Sequence, residues 1–130
     1  MKAPPISRII LYVRDRPKIA AFYQRHFSSA ARVSEKKNWI ALISPAGGCM
    51  LVLLQASKGH KFGQSCIKIV FDVPDVGAYK EKCAKRGLKF GPIHHGEGYE
   101  YANARDPAKN LIQISSLAEK MPAHSMAASD

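Results

Sequence analysis

Polar and apolar positions along this chain alternate in short runs that switch, twice, from a two-residue period to a helical one. "RIILYV" (Arg8–Val13) puts Ile9, Leu11 and Val13 on one side of a strand and Arg8, Ile10 and Tyr12 on the other. Past Asp15, the residues Ile19, Phe22, Tyr23 and Phe27 recur at three- and four-residue spacing, and Asp15 stands where its carboxylate can accept first-turn amides. Sixty positions after Arg8 the same order returns at Lys68. Ile69, Phe71 and Val73 oppose Lys68, Val70 and Asp72. Asp75 then precedes a second helix carrying Val76, Tyr79 and Cys83, which Gly87 can close in a left-handed turn. Strands follow each helix. In the first half they are "AARVSE", "WIALIS" and "CMLVLLQ", the last two joined by "PAGG"; in the second, "LKFGPI", "YEYANA" and "NLIQIS", the last two joined by "RDPAK".

Both helices are amphipathic, so each needs a sheet to lie on. The pattern therefore predicts an α+β fold of two βαβββ modules, at about residues 6–55 and 66–116, within a single domain 1–118. Residues 119–130 are small and polar without apolar period, and are expected to form a flexible tail. In the last strand Ile112 and Ile114 point inward, leaving Leu111, Gln113 and Ser115 outward. The faces away from the helices mix apolar with polar side chains, which suits a cleft better than open solvent. Tyr99 and Tyr101 share one face of their strand, with hydroxyls available to a ligand. Trp39, at a strand start, is expected in the core or an interface.

Length and composition narrow the function classes. The chain has 130 residues, 46% of them hydrophobic, as expected of one globular domain. No apolar run reaches the roughly 20 residues of a membrane helix. The first apolar run is broken by Arg14 and Asp15, too early for a signal peptide, so a cytoplasmic protein is expected. Cys49, Cys66 and Cys83 suit neither a disulfide framework nor a zinc pair, and read as buried thiols in a reducing compartment. The net charge of +10 attracts anions, yet the basic residues are spread along the chain, which argues against a nucleic-acid surface. His94 and His95, near Glu97 and Glu100, could bind metal or move protons. Adjacent residues point apart, however, and the Gly-rich stretch reads as an exposed loop. His26, His60 and His124 stand alone and read as structural. No phosphate loop, GxSxG elbow or Cys–His nucleophile is present in the sequence.

Taken in order, "ISRIILYVRD…FYQRHF", "KIVFDVPDV" and "DPAKNLIQIS" resemble the vicinal oxygen chelate superfamily of glyoxalase I, extradiol dioxygenases, fosfomycin-resistance enzymes and bleomycin-resistance proteins. The resemblance implies paired βαβββ modules forming a curled mixed sheet around a cleft, usually completed in a homodimer. Metal-using relatives draw His and Glu ligands from four strands. Carried over by resemblance, those positions fall on Arg8, within "MLVLLQ", on Lys68 and on Gln113. In "MLVLLQ", Leu51, Val52 and Leu53 lack a donor and Gln55 is the nearest polar residue. Arg keeps its proton, Lys gives a lone pair only if its pKa falls far, and two cations oppose a divalent ion. No metal and no other cofactor is therefore expected there.

The substituted residues instead suggest a pocket for an anionic or aromatic organic molecule. Arg8 would bind by forked hydrogen bonds, Lys68 as a point charge and Gln113 as donor or acceptor, with Tyr12, Tyr99 and Tyr101 beside them. Three other readings stand next to this one, the first a nucleic-acid or protein-binding module carried by the positive charge. Arg8 and Lys68 could instead pair with acids such as Asp72 or Glu100 across an idle face. Or the protein is a lyase, isomerase or dioxygenase, with a rearranged metal site at His94, His95 and Glu97 or metal-free acid–base chemistry by a tyrosine or Lys68. Cationic glycopeptide drugs fit so basic a chain poorly.

Overall fold

Each helix begins where an aspartate meets the first free amides. The carboxylate of Asp15 accepts from Lys18 N–H at 3.1 Å and that of Asp75 from Ala78 N–H at 3.0 Å, so both expected caps form. In the computed structural model residue 6 and residues 8–34, 36, 38–63 and 67–120 are described, without the side chains of 119 and 120. They fall into two compact units, one within Pro5–Gln64 and one within Ser65–Asp130.

The N-terminal unit contains β1 (Arg8–Val13), α1 (Arg16–Phe27), β2 (Ala30–Ser34), β3 (Trp39–Ile43) and β4 (Met50–Gln55). Its four-stranded sheet has the order β1-β4-β3-β2, with β1 parallel to β4 and the other pairs antiparallel. The core joins Leu11 and Val13 of β1, Ile40 and Leu42 of β3, and Leu51 and Leu53 of β4 to Ile19, Ala20 and Tyr23 of α1. The helix stripe is rotated slightly from the expected one. Ala20 and His26 are buried, whereas Phe22 and Phe27 are half-buried, Phe22 edge-on to the Tyr23 ring and Phe27 tilted against it.

The C-terminal unit repeats this plan with β5 (Lys68–Asp72), α2 (Val76–Lys85), β6 (His94–His95), β7 (Glu100–Arg105) and β8 (Leu111–Ser115), then a 3₁₀ turn at Leu117–Lys120. The strand order is β5-β8-β7-β6, again with one parallel pair, β5 with β8. Val76, Cys83, Leu88 and Phe90 are buried with Ile69, Val73, Ala102, Ile112 and Ile114. Gly87 has φ +96°, the left-handed closure expected of it.

Several local expectations are corrected. "LKFGPI" is not a ladder strand: Leu88 and Phe90 anchor it in the core, and Gly91 N–H donates to Asn103 O at 2.8 Å. The ladder is joined only at His94–His95, so the histidine pair lies on a strand rather than in a loop. Ser115 is buried at 3% because the chain turns over it, its Oγ accepting from Leu117 N–H at 3.1 Å. Cys83 is buried, and burial raises its thiol pKa against the opposing charges of Lys82 and Arg86. Cys49 is exposed, since it ends the "PAGG" turn rather than entering β4. Cys66 and the tail beyond Lys120 lie outside the described residues. No helix among the described residues is long and apolar enough to cross a membrane.

The turn into β8 is held by one side chain. Asp106 is 4% exposed, and its carboxylate accepts from Ala108 N–H at 2.9 Å, Asn110 N–H at 2.8 Å and the Asn110 amide at 2.9 Å. These bonds let Lys109 hold φ +68° and set the register in which β8 leaves the turn. Removing the carboxylate strands three part-buried donors, so Asp106→Ala should cost about 2–4 kcal/mol. Asp15→Ala, at an exposed cap, should cost about 1 kcal/mol. Urea unfolding followed by far-UV circular dichroism measures both, and equal costs would contradict the assigned role of Asp106.

Candidate functional site

Strand pairing fixes which side chains share the face that α1 leaves uncovered. Arg8 lies beside Met50, Ile10 beside Val52 and Tyr12 beside Leu54, while Val52 also pairs with Ala41, and Ala41 with Arg32. Their neighbours at odd offsets, Leu51 and Leu53, are buried under the helix. The result is a hollow of about 430 Å³ on the open face, lined by Arg8, Ile10, Arg32, Trp39, Ala41, Ile43, Met50, Val52 and Leu54. Its floor is apolar, its cations are exposed, and it contains no carboxylate among the described residues. Tyr12 continues the same face one step further. Its ring stacks on His60 at 4.5 Å, and Ser57 N–H fixes that imidazole by donating to Nδ1 at 2.9 Å. Trp39 therefore belongs to the hollow rather than to the core. Neither Arg32 nor Trp39 was singled out as a site residue by sequence reasoning, although alternation through "AARVS" and "WIALI" places both on this face once the strands are paired.

The open face of the C-terminal unit is different in kind. Lys68 lies beside Leu111, Val70 beside Gln113, Asn103 beside Gln113, and His94 beside Tyr101. Gln113 Nε2 donates to Asn103 Oδ1 at 2.9 Å, so the amide on β8 has a cross-strand partner and keeps its own carbonyl oxygen open. Tyr99 and Tyr101 share this face as expected, their rings stacked at 5.9 Å, and His94 lies against Tyr101 at 5.2 Å. Gly96 gives Tyr99 its place: a Cβ there would stand 2.2 Å from the Tyr99 ring. His95 points the other way and pairs with Glu100 at 3.4 Å, both exposed, so His94 and His95 are not brought together. Among the described residues neither Arg8 nor Lys68 forms an ion pair, and Glu100 is engaged by His95. The structure thus groups Arg8 with Tyr12 in one unit, and Lys68, Gln113, Tyr99 and Tyr101 in the other.

Comparison with known proteins places this architecture. The family model of the Glyoxalase/Bleomycin resistance protein/Dioxygenase superfamily matches residues 6–114. Among solved structures, VPC_CASS1 from the mobile metagenome of V. Pseudocholerae is 25% identical with a TM-score of 0.69, over 88% of this chain and 95% of that one. TnmS3, an antibiotic binding protein from Streptomyces sp. CB03234, is 18% identical with a TM-score of 0.73, over 88% and 96%. FosX, a fosfomycin resistance protein from Listeria monocytogenes solved with Mn(II) and a dihydroxypropylphosphonic acid, is 18% identical with a TM-score of 0.67, over 88% and 90%. No curated protein matches the chain.

The metal that such relatives hold can be tested against the residues here. The open-face side chains of β4 are Met50, Val52 and Leu54, without an oxygen or nitrogen donor, and Gln55 instead donates to the Arg14 carbonyl at 3.1 Å. Arg8 and Lys68 bring positive charge rather than lone pairs, and Gln113 offers one neutral oxygen. Among the described residues no three His, Cys, Asp or Glu side chains gather as a ligand set. These residues do not fit a divalent ion. Adding Mn(II) or EDTA should therefore leave the melting temperature unchanged, whereas an ion bound at 100 times its Kd would add about 2.7 kcal/mol. Stoichiometric Mn(II) uptake in titration calorimetry would contradict the fit test.

Proposed function

We propose a function from one premise: the chain belongs to the Glyoxalase/Bleomycin resistance protein/Dioxygenase superfamily, whose family model spans residues 6–114. Within that superfamily we read it as a small-molecule-binding protein for an organic anion or an aromatic compound. The observation that carries this reading is the hollow of about 430 Å³ with an apolar floor and Arg8 at its rim, free of described carboxylates. A site of that size and lining excludes water from a ligand's apolar body while a guanidinium fixes its charged end by two parallel hydrogen bonds. Lys68, the Asn103–Gln113 amide pair and the stacked Tyr99 and Tyr101 give the C-terminal face groups suited to the same kind of ligand. TnmS3, an antibiotic binding protein with this fold, supports a binding role for such a scaffold. The chain's net charge of +10 adds a long-range field that draws anions to it. On this reading the protein works as a cytoplasmic homodimer and needs no cofactor.

The test is calorimetric. With 2-naphthoate as probe, Arg8→Ala should raise Kd about ten-fold, corresponding to about 1.4 kcal/mol of lost charge-assisted hydrogen bonding. Arg8 is exposed on an edge strand, so thermal melting of the variant should match the parent. Unchanged affinity with an intact fold would remove Arg8 from the site.

A further inference from the structure

Resting on that reading, we infer that the N-terminal hollow selects a flat apolar or aromatic molecule carrying two separated negative groups, with Arg32 as the second anchor and Trp39 as the surface under its body. Arg8 and Arg32 both line the hollow, but from opposite edges of one sheet, β1 and β2, in the order β1-β4-β3-β2. Three interstrand steps and a two-residue offset along the strands separate them, about 16 Å at the backbone. Arg8 starts beside Met50 and Arg32 beside Ala41, which itself pairs with Val52, so everything between the two cations is apolar.

Both guanidinium groups are exposed and solvated at the edges of the hollow, and the apolar floor between them offers neither a competing polar contact. Among the described residues no acid lines the hollow and neither arginine has an ion-pair partner. Both guanidinium groups are therefore available to anionic groups that a ligand brings. A single small anion answers one guanidinium and leaves the floor wet. A rigid body with an anionic group at each end answers both and covers the apolar surface between them. Trp39 lies two residues before Ala41 on this face and offers its indole to such a body. A second copy of this chain suits the place less well, because it would bring 20 basic against 10 acidic residues to a face already positive.

Trp39 is the single tryptophan of the chain, so its fluorescence reports occupancy of this hollow directly. The full chain is titrated at fixed ionic strength with naphthalene-2,6-dicarboxylate, 2-naphthoate and neutral 2-naphthamide, with calorimetry in parallel. The diacid should quench Trp39 and bind about ten-fold more tightly than the monoacid, and the monoacid more tightly than the amide. Arg32→Ala, or Arg32→Gln as a second variant, should lower the diacid to the level of the monoacid while leaving the monoacid within about two-fold. A diacid that binds no better than the monoacid, or a preference that survives both variants, overturns the second anchor. The monoacid's dependence on Arg8 would then still uphold the broader reading. Failure of all three probes to bind overturns both.

Discussion

Side-chain alternation across a paired strand is the constraint from which the rest of this structure follows. A strand must send successive residues to opposite faces, and an amphipathic helix can cover only one of them. In both units the covered face is filled to near-zero exposure by Val13, Leu53 and Tyr23 or by Ile112, Ile114 and Ala102. That burial fixes register, since a one-residue slip would turn the whole apolar set toward water. Once register is fixed, the identity of every residue on the uncovered face is fixed as well. The chemistry of the hollow is thus a by-product of how firmly the opposite side is packed.

The two units share their covered faces and differ on their open ones. Each has an aspartate-capped helix on a sheet with its parallel pair at one edge. The N-terminal open face is apolar between two arginines, while the C-terminal one carries a lysine, two linked amides and a row of stacked rings. A repeated scaffold has been given two different surfaces. The buried faces differ in residue identity but stay apolar in the main, whereas the open faces differ in chemical character, as expected when packing constrains one side and not the other.

Much of this was legible in the sequence for identifiable reasons. The aspartate caps, the left-handed Gly87 and the strand faces of Arg8–Val13 and Lys68–Asp72 are local, set by a few neighbours each, and they stand as read. Tyr99 and Tyr101 shared a face because alternation demands it. What escaped depended on pairing partners. The register of β4 decides that Val52 and Leu54, not Leu51 and Leu53, face the hollow, and nothing within "MLVLLQ" reveals this. Arg32 acquires meaning only from its place beside Ala41 on β3. Ser115 is hidden by chain that follows it, and the histidine pair becomes a strand only because β7 is there to receive it.

The close seat of Tyr99 over Gly96 has a consequence for how this protein can change. A side chain at position 96 would make the Tyr99 phenol ring shift from the place where it stacks on Tyr101. A hairpin tip normally accepts substitutions freely, but this one is tied to a surface several residues away. Substitutions at the tip and in the tyrosine row are therefore coupled through this one contact.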